Sequence, residues 1–84
     1  MIQIVYSSGI STYPDWEELT LKLAQKTVEG YVELVTLNEN LQMVVNEEGL
    51  LKGLPPNKEA SLLSGIKGIV GNVIFLSDEH LWVD

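Results

Sequence analysis

The spacing of apolar residues changes along this chain, and the change of period predicts its first two elements. Ile2 to Tyr6 is a short apolar run that ends at a Ser-Ser-Gly turn, which predicts a strand. From Pro14 to Val28 the apolar positions recur at helical spacing, so one long helix is predicted there. Pro14 suits the first position of a helix, and Gly30 supplies a stop signal.

The middle of the chain has the pattern of a β-hairpin. Two β-rich runs, Tyr31 to Leu37 and Leu41 to Asn46, flank the turn residues Asn38 to Asn40. Asn46 and Asn57 are each placed to cap a short helical segment, because an asparagine side chain accepts backbone N–H groups at a helix start. The second of these segments has an apolar side formed by Leu62, Leu63 and Ile66.

The last third of the chain contains an almost wholly apolar run, Ile69 to Leu76. Such a run predicts a strand that is buried on both faces at the centre of the sheet. Because both faces need cover, the run favours either a homodimer or a second helical layer. The tail, Ser77 to Asp84, is expected to be an edge strand or a docking segment.

Together these elements predict an α+β fold in a single domain, residues 1–84. The expected architecture is a mostly antiparallel sheet of four to five strands, with the long helix on one face and two short helical segments. A chain of this length buries only about 60 to 65% of its extended surface, so its core is small and its stability is only a few kcal/mol.

The composition excludes several classes of function and indicates none directly. Twelve acidic residues, five lysines and no arginine give a net charge of −7, which opposes direct binding to nucleic acid. The chain has no cysteine and one histidine, His80, so thiol chemistry and histidine-rich metal sites are excluded. Carboxylates alone can bind Mg²⁺, which keeps an enzyme as an alternative. We predict a non-enzymatic protein without catalytic residues, metal or cofactor.

The chain shows no signal peptide pattern and no apolar run near the roughly 20 residues that span a bilayer. It is therefore expected to be an unprocessed protein of the cytoplasm that does not contact membranes.

One stretch, Asn46 to Asn57, combines amides, glycines, prolines and a lysine between regular elements. Prolines stiffen a loop and glycines let backbone approach a partner, so this composition is typical of a rigid recognition loop. The predicted ligand-binding residues are Asn46, Glu47, Gly49, Lys52, Gly53 and Asn57. The same residues also suit an ordinary connection with two helix caps, and both interpretations stay open.

At this stretch the chain resembles the family called domain of unknown function 3846, small proteins encoded mainly by bacteriophages, plasmids and bacteria. The likeness spans about residues 25–76. It rests on Gly30 to Val35, Val45 to Asn57, Ala60 and Ile69 to Ile74. Many members carry Lys or Arg at two positions of this motif. At these positions the present chain has Leu51 and Lys58. The resemblance implies an origin in a mobile element and a motif centred on the loop, and it brings no catalytic residues.

The leading hypothesis is a phage or mobile-element protein that counters a host defence system by sequestering a small anionic, nucleotide-type ligand. Lys52 would contact phosphate, and Asn46 or Asn57 would read a base edge. Such a pocket must be locally basic, and residues 52–76 carry three lysines against Glu59 alone. The alternative is an acidic inhibitor or DNA mimic that binds a host protein. A third interpretation treats the acidity as a solubility device and the loop as folding chemistry.

Overall fold

The computed structural model describes residues 1–82, which form one five-stranded sheet, two α-helices and a 3₁₀ turn. In chain order these are β1 (Ile2–Val5), β2 (Ser11–Thr12), α1 (Leu21–Val28), β3 (Val32–Asn38), β4 (Leu41–Asn46), α2 (Lys58–Ser64), β5 (Val73–Ser77) and the 3₁₀ turn (Asp78–His80). The strand order is β2-β1-β5-β4-β3, and every pair is antiparallel. The predicted α+β fold and antiparallel sheet are confirmed, although β2 was not predicted.

The central strand of the sheet is β5, as predicted from its apolar run. It pairs with β1 on one side and β4 on the other, and its residues from Val73 to Leu76 are buried. The strand begins four residues later than Ile69 because Gly71 turns the chain at a φ of 76°, a conformation that favours glycine. Each face of β5 is covered within one chain, so its burial does not require a dimer.

One face of the sheet, called the α1 face, packs against the first helix. Its apolar strand residues include Ile4, Val44 and Ile74, which meet Ala24 and Val28 of α1. The C-terminal segment also docks on this face, because Trp82 packs against the same cluster. The tail is therefore a docking segment as far as the structure describes it, and Val83 and Asp84 lie outside the described residues.

The prediction of one long helix from Pro14 was wrong, since α1 begins at Leu21. A longer helix would need Leu23 N–H to donate to Leu19 C=O. Instead the Leu23 N–H donates to Thr20 Oγ1 at 3.2 Å, and Leu19 C=O accepts from Trp82 Nε1 at 2.9 Å. Both partners of the required bond are thus used elsewhere, and the segment before Thr20 remains irregular although Leu19 is buried.

The opposite face, called the α2 face, is covered by α2 and by the loop that precedes it. Its core contains Val5, Met43 and Phe75 together with Ala60 of α2. The predicted helix after Asn57 is confirmed, whereas the segment after Asn46 forms turns rather than a helix. No helix in residues 1–82 is long and apolar enough to cross a bilayer.

Candidate functional site

Asn46 lies at the end of β4 and joins the hairpin to the end of α1. Its Nδ2 donates to Val28 C=O at 2.9 Å, and its Oδ1 accepts from the backbone N–H of Glu48 at 2.8 Å. The second bond closes a tight turn at the start of the loop, and the residues after Asn46 continue in turns rather than in a helix. Only 6% of Asn46 is exposed, so its amide serves the fold at both ends.

Asn57 joins three parts of the α2 face through one side chain. Its Nδ2 donates to the carbonyl groups of Val5 and Gly71, each at 2.8 Å, and its Oδ1 accepts from Ala60 N–H at 3.0 Å. Both amide hydrogens are used, and the residue is 1% exposed. This asparagine therefore connects β1, the turn before β5 and the start of α2.

The six predicted site residues do not converge on one cavity. Asn46, Glu47 and Gly49 line a cavity of about 390 Å³ under the loop. Lys52 lines a different depression, beside Gln25, Gly30 and Tyr31. Gly53 is exposed and adopts a φ of 65°, and Asn57 borders a third cavity, next to α2. Their role in ligand binding stays a prediction.

The cavity under the loop is acidic, and we call it the acidic cavity. Glu33, Glu47 and Glu48 line it together with the apolar side chains of Leu50 and Leu51. Gly49 is required at its wall, because a Cβ there would lie 2.9 Å from Val70 Cγ2. Three carboxylates repel an anion, so the acidic cavity does not have the locally basic character that a nucleotide site needs.

A larger opening of about 740 Å³ runs beside α2, and we call it the α2 groove. Its walls are mainly apolar, and Lys58 and Lys67 line it as well. The apolar residues that line it are Leu50, Pro56, Leu62, Ile69 and Val70. Leu50 is 77% exposed and Leu62 is 79% exposed, which is unusual for large apolar side chains beside a cavity of this size.

Polar groups in the α2 groove are few. Asn57 borders it with a fully bonded amide, and Ser61 Oγ already accepts from Ile69 N–H at 3.2 Å. Within residues 1–82 neither Lys58 nor Lys67 forms an ion pair. The groove therefore offers an apolar surface and two lysine charges, a combination that suits a ligand with an apolar body and an anionic group.

Residues 1–82 contain no group of three or more His, Asp or Glu side chains arranged to hold an ion. Every buried side-chain N or O in this part of the chain has a hydrogen-bond partner. No buried side-chain N or O of residues 1–82 is therefore left unpaired to receive a ligand.

Sequence reasoning missed the α2 groove because it assigned Leu62 to the packed side of a helix. In the structure α2 contributes Ala60 to the core instead, while Leu62 and Leu63 are exposed, and the local sequence gives no signal of this. Gly65 and Gly68 line the groove as well, and both adopt a positive φ.

These features define a class of protein: a small antiparallel sheet between two helical layers, with an open apolar groove beside the second helix. The chain belongs to the family described as domain of unknown function (DUF3846), whose pattern matches residues 2–81. The match extends the resemblance from about residues 25–76 to nearly the whole chain. No curated protein and no solved structure was found to match it.

Proposed function

We propose that this protein is a non-enzymatic binding protein of a phage or other mobile element, and that it binds a small anionic ligand in the α2 groove. The observation that carries the proposal is the pairing of exposed apolar side chains with two lysines in one groove of about 740 Å³. In the host cytoplasm such a protein would act by withholding its ligand from a host defence system.

The chemistry of the groove defines the ligand class. An apolar or aromatic body would lie against Leu50, Leu62 and Ile69, and a phosphate, sulfonate or carboxylate would lie near Lys58 or Lys67. A nucleotide fits this description through its base and phosphate, with recognition by apolar contact and charge. Reading of a base edge is not part of the proposal, because the Asn57 amide is already fully bonded.

Titration calorimetry tests this proposal with two kinds of probe. Anilinonaphthalene sulfonate (ANS) represents the general class, and a panel of nucleotides and cyclic dinucleotides represents the specific one. We expect ANS to bind the native protein, and we expect Leu62→Ala and Lys67→Gln each to weaken binding about tenfold.

The matched controls for these two variants lie on α1. Leu21→Ala removes a leucine that is 55% exposed, and Lys22→Gln removes an exposed lysine. Both should leave the affinity unchanged. Absence of heat with every probe, or equal weakening by the groove variants and the α1 variants, would contradict the proposal.

A second candidate function is an acidic inhibitor or DNA mimic that binds a basic host protein. It is favoured by the exposed carboxylates, since within residues 1–82 no Lys forms an ion pair with any of them. The exposed acidic residues include Asp15, Glu17, Glu18, Glu29, Glu33, Glu39 and Glu47. Retention of a purified basic partner should fall steeply with salt and should be lost in the Glu17→Lys, Glu18→Lys double variant.

A further inference from the structure

The free edge of β3 is the longest unpaired strand edge among residues 1–82. β3 has seven residues and pairs with β4 alone, whereas the strand at the other edge of the sheet, β2, has only two. Natural sheets protect such edges with charged side chains, above all lysine, with prolines or with bulges. β3 contains no lysine and no proline, its single charge is Glu33, and its bulge lies near its end, between Thr36 and Asn38. Its edge is therefore open to addition of another strand.

The pairing with β4 determines which backbone groups of β3 face outward. Glu47 N–H donates to Tyr31 C=O at 2.8 Å, so these opposite residues form a hydrogen-bonded pair. In an antiparallel ladder such pairs alternate with pairs that do not exchange hydrogen bonds. The backbone N–H and C=O groups of Val32, Leu34 and Thr36 consequently point away from β4.

We infer that two copies of this chain associate through β3, antiparallel, around a twofold axis at Leu34. In this register Leu34 faces Leu34 of the second copy, and Val32 faces Thr36. The outward N–H and C=O groups of all three residues then find partners across the axis, and the two sheets join into one of ten strands.

The side chains of β3 suit this self-pairing. The register sets Glu33, the one charged residue of β3, opposite Val35 of the second copy, and sets Tyr31 opposite Leu37. A register centred on Glu33 would instead oppose two carboxylates, which is unfavourable. Tyr31 is 66% exposed, so the pairing would cover a large apolar surface that a single chain leaves in water.

Exposed apolar surface on the α2 face is continuous with this edge. Leu51 is 88% exposed, and it lines the acidic cavity together with Glu33 of β3. The interface is therefore a backbone ladder bordered by apolar side chains, and it does not involve the α2 groove.

The net charge of −7 on each copy opposes association and gives the dimer a distinctive salt dependence. Screening weakens this repulsion, while backbone bonds and apolar contacts are little affected by salt. The dimer should therefore strengthen as sodium chloride is raised, opposite to an interface held by ion pairs.

Sedimentation equilibrium at chain concentrations up to about 1 mM tests the inference, with hydrogen exchange read on the same samples. We expect a mass twice the 9.3 kDa of the chain, and a dimer fraction that rises with salt. The amides of Val32, Leu34 and Thr36 should be protected at high concentration and exchange rapidly on dilution.

Thr36→Pro removes a backbone N–H that points away from β4, so the hydrogen bonds between β3 and β4 keep all their donors. Thr36→Ala is the matched control. The proline variant should weaken the dimer about tenfold or more, while the alanine variant should not. If the proline variant fails to fold, the hydrogen exchange of the native protein still tests whether the dimer forms through β3. A monomer at every concentration and salt, or a dimer in which the three amides exchange rapidly, would overturn the inference.

Discussion

The two faces of the sheet are covered to very different degrees. On the α1 face, the C-terminal segment docks beside the helix, and Gln42 and Trp82 exchange hydrogen bonds of 2.6 and 2.7 Å. On the α2 face, a helix of seven residues and an irregular loop cover the sheet, and Leu50 and Leu62 remain exposed. The α1 face is thus covered by a helix and the docked tail, whereas the α2 face buries its strand residues and leaves a larger apolar groove outside them.

The two faces also differ in how they use buried polar groups. The α1 face relies on the docked tail, while the α2 face depends on Asn57, which holds the short helix to β1 and to the turn before β5. These bonds tie α2 to the sheet although Leu62 and Leu63 remain exposed. The exposed leucine side chains beside the groove are therefore available for binding.

The largest expected effect is that of Asn57→Ala, which would break this junction. The change removes the three hydrogen bonds that the Asn57 amide makes with the carbonyl groups of Val5 and Gly71 and with the Ala60 N–H. We expect the free energy of unfolding to fall by about 3 to 5 kcal/mol, close to the whole stability of a domain this small. Urea denaturation measures it. Asn40→Ala, in the exposed hairpin turn, is the control and should change stability by less than about 0.5 kcal/mol.

A pair of leucine substitutions compares the two faces directly. Leu19 is 5% exposed on the α1 face and Leu62 is 79% exposed at the α2 groove. Leu19→Ala should cost about 2 to 5 kcal/mol through lost burial and a cavity, whereas Leu62→Ala should stay within about 0.5 kcal/mol. Thermal and urea denaturation give both values. A loss of several kcal/mol in Leu62→Ala would mean that the groove is part of the core.

The smallest expected effect concerns Glu79, in the 3₁₀ turn that leads to the docked tail. A hydrogen bond from its own backbone N–H, then the charge of the N-terminal ammonium and that of His80, lower the pKa of Glu79 below its ordinary value of 4.5. A lowered folded pKa favours the native state above pH 4.5, and this stabilisation is lost as the pH falls through the lowered value. The side chain is exposed, so the effect on stability is small.

The Glu79→Gln variant should therefore melt slightly below the native protein at pH 7, and the difference should disappear in acid. Glu39→Gln, at the tip of the hairpin, controls for the loss of one negative charge. Calorimetric melting curves between neutral and acidic pH provide the comparison. A gap that widens in acid would contradict the lowered pKa.

The regular elements were predictable where one local pattern dominates. The hairpin of β3 and β4, the central strand β5 and the helix capped by Asn57 all follow from periodicity and turn residues. The start of α1 could not be predicted in this way. The Leu19 carbonyl accepts a hydrogen bond from Nε1 of Trp82, a residue 63 positions away along the chain. Local sequence contains no signal for such a long-range hydrogen bond.

The candidate site was harder to predict than the fold, because polarity and exposure do not coincide here. Asn46 and Asn57 bound a stretch with the composition of a recognition loop, yet their amides are buried and hydrogen-bonded within the fold. Leu62 has the spacing of a core residue, yet it is exposed. Which side chain faces solvent depends on the shortness of α2 and on the path of the loop, and both are settled by tertiary packing.

The position of a bound probe tests the central claim most directly. Nuclear Overhauser contacts between ANS and methyl-labelled protein report which leucine, isoleucine and valine side chains touch the ligand. Binding in the α2 groove predicts contacts to Leu50, Leu62 and Ile69, and their loss in Lys67→Gln at the same ANS concentration. Contacts to Leu21 or to β3 instead of the groove, or no contacts at all, would contradict the account.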